Sequence, residues 1–158
     1  MKLYKIHHVQ KLPISVDTAW AFLSDPANLG KITPKAMGFV TLSGDDRAIF
    51  DGQIIEYKIR PLFGITINWV TEITHVIPNI FFVDEQRYGP YAFWHHKHFI
   101  DEIPGGVAIT DIVHYKLPFG IIGRMFHPIL VKPKLDNIFA FRRSVLLGMF
   151  GEYKTSLS

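Results

Sequence analysis

Residues 134–153, KLDNIFAFRRSVLLGMFGEY, contain no proline and carry Leu135, Ile138, Phe139, Val145, Leu146 and Met149 at helical spacing. Apolar residues that recur every three or four positions form one stripe of a helix, and such a stripe must be buried against something. The chain before it has a different pattern. From residue 52 to residue 117 it is broken at Pro61 to Gly64, Pro78-Asn79, Gly89-Pro90 and Pro104-Gly105-Gly106. These breaks separate five runs, 52–60, 64–76, 80–88, 91–102 and 107–117, that read as strands of an antiparallel meander. In 65–75 the odd positions Ile65, Ile67, Trp69, Thr71, Ile73 and His75 oppose mostly polar even positions. Such a sheet buries one face and wets the other. A long amphipathic helix after a curved antiparallel sheet packs across the concave face.

Working outward, residues 2–12 alternate weakly and read as a first strand ending at Pro13. Ser15 is placed to cap a helix, with Asp17 in the first turn and Ala19, Trp20, Phe22 and Leu23 on its apolar face. Pro26 stops that helix and opens a second short one, which ends before Pro34. An apolar stretch, 37–42, leads to a turn at Ser43-Gly44-Asp45-Asp46. After Pro118-Phe119-Gly120 a short helix is expected over 121–126, with Pro128 and Pro133 kinking the approach to the long one. The expected fold is α+β: about seven antiparallel strands curved around a long C-terminal helix, with two short helices after strand 1. Residues 1–158 are expected to form a single domain.

Hydrophobic residues make up 48% of the chain and charged residues 20%, which excludes disorder as the main state. Aromatic residues reach 14%, enough bulk to build a core or to line a cavity in one. No window approaches the ~18 apolar residues of a membrane span, so stable membrane insertion is not expected. The first residues lack the apolar run of a signal peptide, and a cytoplasmic protein is the simplest expectation. The chain has no cysteine, which removes disulfides, cysteine nucleophiles and cysteine-ligated zinc together. Residues 1–115 carry ten Lys/Arg against twelve Asp/Glu, whereas residues 116–158 carry seven against two. The basic end could attract an anionic ligand, a membrane surface or RNA, or could simply be a solvated helix face.

Several segments, taken together, are specific enough to carry a resemblance to a known family. They begin with Ala19-Trp20-Ala21-Phe22, Leu29 and Ile32-Thr33-Pro34, then Trp69-Val70-Thr71-Glu72-Ile73 and Phe82-Val83-Asp84-Glu85-Gln86. They continue through Gly89-Pro90-Tyr91, Trp94-His95-His96-Lys97-His98-Phe99 and Thr110-Asp111-Ile112-Val113-His114-Tyr115. Leu117-Pro118-Phe119-Gly120 and Ile138-Phe139-Ala140-Phe141-Arg142 complete the set. Together they resemble the START-like SRPBCC superfamily of helix-grip proteins, in particular a bacterial group of small ligand-binding, polyketide cyclase-like members, and the resemblance implies a cavity between sheet and helix that holds an apolar or amphipathic molecule. It implies no particular reaction.

Polar residues on apolar faces are the candidate ligand contacts. Alternation puts Trp94, His96, His98 and Ile100 on one face of a strand. Phe82, Asp84 and Gln86 share a face of the preceding strand, and Asp111, Val113 and Tyr115 one of the next. Trp94, Asp84 and Asp111 are taken to mark the inside, though a one-residue slip would reverse every set. Arg142 falls in the middle of the apolar stripe of the long helix, where a guanidinium needs a carboxylate or an anionic ligand. Asp84 and Asp111 are its best protein partners, in a structural ion pair or a ligand-orienting one. Trp69, Phe82, Trp94, Tyr115 and Phe139 supply an aromatic lining.

His96 and His98 could ligate zinc with a carboxylate such as Asp111. Without a His-Glu-x-x-His helix or a cysteine, no metal and no cofactor are expected. A His96/Asp111 or His98/Asp84 pair could serve acid–base chemistry or simply satisfy a polar core. No nucleophile elbow, phosphate loop or dinucleotide fingerprint occurs, and no catalytic residue is assigned. The leading expectation is binding of a lipid- or polyketide-like molecule. The alternatives are a cyclase, dehydratase or hydrolase using pocket His and Asp, and an RNA or protein adaptor through Arg124, Lys132, Lys134 and Arg143. DNA is not an expected partner. Gly89-Pro90-Tyr91 is expected to make a tight hairpin at one end of the sheet, with the cavity opening near it and near Pro61–Gly64.

Overall fold

The computed structural model describes residues 2–44, 46–60 and 64–154. Strand β1 (Tyr4–Leu12) is followed by helix α1 (Val16–Leu23) and a 3-10 segment (Pro26–Ile32). The Ser15 side chain accepts from Thr18 N and Asp25 from Ala27 N, so both short helices start on side-chain caps. Strands β2 (Val40–Ser43), β3 (Gln53–Ile59), β4 (Ile67–Ile77), β5 (Phe81–Tyr88), β6 (Phe93–Ile103) and β7 (Gly106–Lys116) follow. All neighbours pair antiparallel in the order β1-β7-β6-β5-β4-β3-β2. The chain meanders outward from β7 and returns β1 to its free edge. The expected α+β architecture is present.

Four local expectations need correction. The alternation read along 65–75 does not hold to its end. A register shift between Ile73 and His75 turns His75 outward and sends Val76 into the core instead. A bulge sets two residues against one, so the phase of the strand flips beyond it. The C-terminal helices are also continuous rather than separate. Helix α2 (Gly120–Phe126) runs through a π turn (His127–Val131) into α3 (Lys132–Phe150). Pro128 sits inside that π turn, where its missing N–H is absorbed by the wider hydrogen-bond spacing. The long helix stops at Phe150, short of residue 153, because Gly151 takes φ 87° and donates its N–H to Leu147 O. Met149, expected on the buried stripe, is exposed.

The interior consists of three packed groups. Leu12, Ala19, Ile100, Val107, Ile109 and Leu146 join α1 to α3 and the sheet. Val113, Tyr115, Leu117, Leu135 and Phe139 pack beneath the start of α3. Met37, Ile55, Tyr57, Ile59 and Ile73 form the third group under β3 and β4. All three contribute residues to a single cavity. The β5–β6 link does not continue either strand, as expected, and Gly89 takes φ 158° there. The corner is held by Gln86, which donates to Tyr91 O and accepts from Tyr91 N. Pro90 and Tyr91 both reach the cavity wall. Pro61, Leu62 and Phe63, named above as flanking its opening, lie outside the described residues.

Candidate functional site

A cavity of about 220 Å³ lies between the concave face of the sheet and α3. Its wall is mainly apolar, with Leu29, Ile32 and Met37 from the short helices and Ile55, Ile59 and Ile73 from the sheet. Of the sequence-derived candidates, Trp69, Phe82, Trp94 and Phe139 line it, as do Asp84, His96, His98 and Arg142. Thr71, Tyr91 and Lys134 line it too and were not anticipated. Thr71 could have been found, since it shares the inward phase of Trp69 and Ile73. Burial pushes the Tyr91 phenol well above its ordinary pKa, so it stays neutral.

The polar wall is built by register. Asp84 on β5 pairs with His96 on β6, and His98 on β6 pairs with Asp111 on β7. On one face of a sheet, direct and diagonal neighbours both come within reach of long side chains. Each imidazole therefore bridges the two carboxylates. His96 Nε2 lies 2.9 Å from Asp111 Oδ1, and its Nδ1 lies 3.5 Å from Asp84 Oδ2. His98 Nε2 lies 2.7 Å from Asp84 Oδ2, and its Nδ1 lies 2.9 Å from Asp111 Oδ1. The last contact falls outside hydrogen-bond geometry, and His98 Nδ1 has no hydrogen-bond partner among the described residues. The two rings lie 3.7 Å apart, with His98 stacked on Phe82.

Arg142 reaches down from α3 and places NH1 3.1 Å from Asp111 Oδ1. It is 7% exposed, and its Nε and NH2 are buried with no hydrogen-bond partner among the described residues. Burial alone would raise the Asp111 carboxyl, but the Arg142 charge and the two histidines hold it well below the usual carboxylate range. Asp84 is held low in the same way, against burial, by His96, His98 and the Trp94 side chain. Burial and the neighbouring His98 charge lower His96. For His98 burial pulls down too, yet the nearby carboxylates of Asp111 and Asp84 win and raise it. The cluster thus sets two carboxylates against one guanidinium and two imidazoles whose pKa values their surroundings drive apart.

Two candidates stand elsewhere. Asp111 lies behind the histidines rather than on the cavity wall, where it acts through its neighbours. Tyr115 does not line the cavity. Its hydroxyl lies 2.7 Å from Nε2 of His127, a buried ring in the π turn that also stacks on Tyr4. Burial, followed by Lys2 and Lys132, lowers the His127 pKa and so favours the neutral ring. The Tyr115 phenol is itself pushed up to about 12, mainly by burial. This contact pins β7 to the C-terminal helix.

No protein-family model and no curated protein matches this chain. Solved structures do match along nearly its whole length. The Zhui aromatase/cyclase from a Streptomyces species superposes with a TM-score of 0.73 at 11% identity, over 94% of this chain and 93% of that one. Protein CV1439 from Chromobacterium violaceum gives 0.70 at 12% identity, over 94% and 99%. The major latex-like protein 151 of Panax ginseng gives 0.67 at 10% identity, over 94% and 97%. The chain has the helix-grip fold. At these identities the likeness concerns architecture, and the chemistry must be argued from the cavity itself. Among the described residues, no helix is long and apolar enough to cross a membrane.

Proposed function

We propose that this helix-grip protein binds a compact, mainly apolar small molecule bearing one anionic or hydrogen-bond-accepting oxygen. The observation that carries this reading is the unpartnered edge of Arg142. Leaving buried N–H donors unsatisfied is costly, and here Nε and NH2 are buried on a residue that lines the mainly apolar cavity. A carboxylate, phenolate or carbonyl oxygen of a ligand would satisfy them. The volume lies below the ~300–1,000 Å³ common for drug-sized ligands, which favours a small ring system over a diacyl lipid. Likeness to an aromatase/cyclase supports a ring-containing or ring-forming ligand class. Binding is favoured over unaided acid–base catalysis, because both imidazoles are already engaged with protein carboxylates.

The test uses 2-naphthoate, an aromatic carboxylate, against 2-methylnaphthalene, which lacks the head group. Calorimetry is expected to give one saturable site for the carboxylate and weaker binding for the hydrocarbon. At a hundredfold excess over Kd, a ligand that binds only the folded state stabilises it by about 2.7 kcal/mol, which a melting curve resolves. Ile138→Trp, which fills the cavity from α3, is expected to abolish binding while the protein stays folded. Equal binding of both probes would remove Arg142 from the reading. Binding of neither would remove the cavity from it.

A further inference from the structure

We propose that Asp84, His96 and His98 form a site for a divalent first-row transition-metal ion, with Asp111 and Arg142 supporting both imidazoles from behind. Asp84 Oδ2, one nitrogen of His96 and one of His98 lie within 4.8 Å of one another. The separations from Asp84 Oδ2 are 2.7 Å to His98 Nε2 and 3.5 Å to His96 Nδ1. Ligand atoms ~2.0–2.2 Å from one ion stand roughly 2.8–3.6 Å apart; the 3.5 Å separation falls in that range and the 2.7 Å one just below it. The remaining nitrogens point the other way, each 2.9 Å from Asp111 Oδ1. Metal-bound histidines usually present their second nitrogen to a carboxylate, which fixes the ring and raises its basicity. Here Asp111 hydrogen-bonds His96 in that way and stands close to His98 Nδ1 outside hydrogen-bond geometry.

Charge decides which side takes the ion. Arg142 NH1 already caps Asp111 at 3.1 Å, which repels a second cation there. The ion pairs of Asp84 among the described residues are with His96 and His98 alone. With neutral imidazoles, two carboxylates against one guanidinium leave a net negative charge around a dication. Two imidazoles and a carboxylate suit Zn²⁺, Fe²⁺ or Co²⁺ rather than Mg²⁺ or Ca²⁺. All three ligands line the cavity, so the ion's open positions face the same space as the free edge of Arg142. An anionic oxygen could then be held between metal and guanidinium. The metal site stands on its own geometry and does not require the ligand reading above.

Metal-free protein is titrated with Co²⁺ and followed by visible absorption, with one equivalent expected. X-ray absorption of the Zn²⁺-loaded protein is expected to show two imidazoles and an oxygen at ~2.0–2.2 Å. Asp111→Asn is expected to weaken affinity about 10–100-fold, and His75→Gln, on the surface, to leave it unchanged. The wild-type spectrum decides the question even if Asp111→Asn misfolds. Failure to bind, a spectrum without imidazole scattering, or binding lost in His75→Gln overturns the proposal. Metal-free protein that takes up 2-naphthoate but no metal overturns the metal site alone, and the reverse result overturns only the ligand reading.

Independently of that cluster, residues 119–129 expose an apolar face. Phe119, Ile121, Ile122, Met125, Phe126 and Ile129 range from 52% exposed at Phe126 to 81% at Phe119. So dense a patch marks a docking surface. No acidic residue occurs from 112 to 135, while Lys116, Arg124, Lys132 and Lys134 do. We infer that this face docks on an anionic bilayer surface: apolar side chains enter the interface and the basic ones meet acidic headgroups. Lys134 also lines the cavity, so the docking face and the cavity share the start of α3. The protein is expected to float with vesicles of phosphatidylcholine and phosphatidylglycerol, but not with phosphatidylcholine alone. Ile122→Glu and Met125→Glu should abolish flotation without changing the melting temperature, and Arg124→Gln should weaken it about fivefold. Absence of flotation, or variants that float like wild type, overturns the inference. So does a wild-type dimer that these variants dissolve.

Discussion

Arg142→Met is expected to lower stability by about 3–5 kcal/mol, the loss typical of stranding one member of a buried ion pair. For a chain of this size that corresponds to a fall in melting temperature of about 6–20 °C. The cause is Asp111 rather than the arginine itself. Burial disfavours that carboxylate, and the Arg142 charge is the foremost of the interactions that hold it ionised. Without the guanidinium, Asp111 must protonate or rely on the imidazoles alone. Arg142→Met combined with Asp111→Asn should therefore recover much of the loss, because neither partner is left charged and unpaired. The non-additivity of that double-mutant cycle, read by chemical denaturation, measures the coupling. Near-additive losses, or an Arg142→Met protein that unfolds like wild type, would place the guanidinium outside the cluster. The same double variant tests binding. If it folds but holds 2-naphthoate far less tightly than wild type, Arg142 acts on the ligand. If it holds it equally well, the pair serves the fold alone.

The parts of this site that were legible in the sequence were those governed by a fixed local period. Alternation put His96, His98 and Trp94 on one face of β6, and helical phase put Arg142 near the middle of the Leu135, Ile138, Phe139, Val145 and Met149 stripe. The three β6 residues and Arg142 are buried, whereas Met149 at the end of the stripe is exposed. The Pro and Gly breaks located the strands because those residues restrict the backbone wherever they occur. Whatever depends on pairing between strands was out of reach. Asp84 and Asp111 could be named as partners. That each imidazole bridges both acids follows only from the register Asp84↔His96 and His98↔Asp111. The slip between Ile73 and His75 is invisible to alternation, since a bulge is a mismatch between two strands. Tyr115 has the correct phase on β7 but sits beyond the cavity, over the π turn where Pro128 was expected to kink the approach to the long helix. Phase gives the face of a strand and not the position along it.

Trp94→Ala should cost a similar amount, about 3–5 kcal/mol, and should weaken ligand binding as well. The indole is buried and stands edge-on to Trp69 with ring centroids 5.5 Å apart. It also lies 4.8 Å from Tyr91. It thereby ties β4, β6 and the Pro90–Tyr91 link around one end of the cavity. Its side chain also helps hold Asp84 ionised. Alanine removes the aromatic contacts and that polar contact together, and the void opens directly into an existing cavity. Trp94→Phe separates the two effects, since the ring contacts persist in part while the indole N–H is gone. The expected order of stability is wild type, then Trp94→Phe, then Trp94→Ala. Denaturant unfolding would establish that order, and calorimetry with 2-naphthoate would show whether affinity follows it. If Trp94→Ala melts with wild type, the indole does not join these elements. If Trp94→Phe falls as far as Trp94→Ala, the polar contact to Asp84 outweighs the aromatic packing, and the carboxylate cluster is what holds this end of the cavity together.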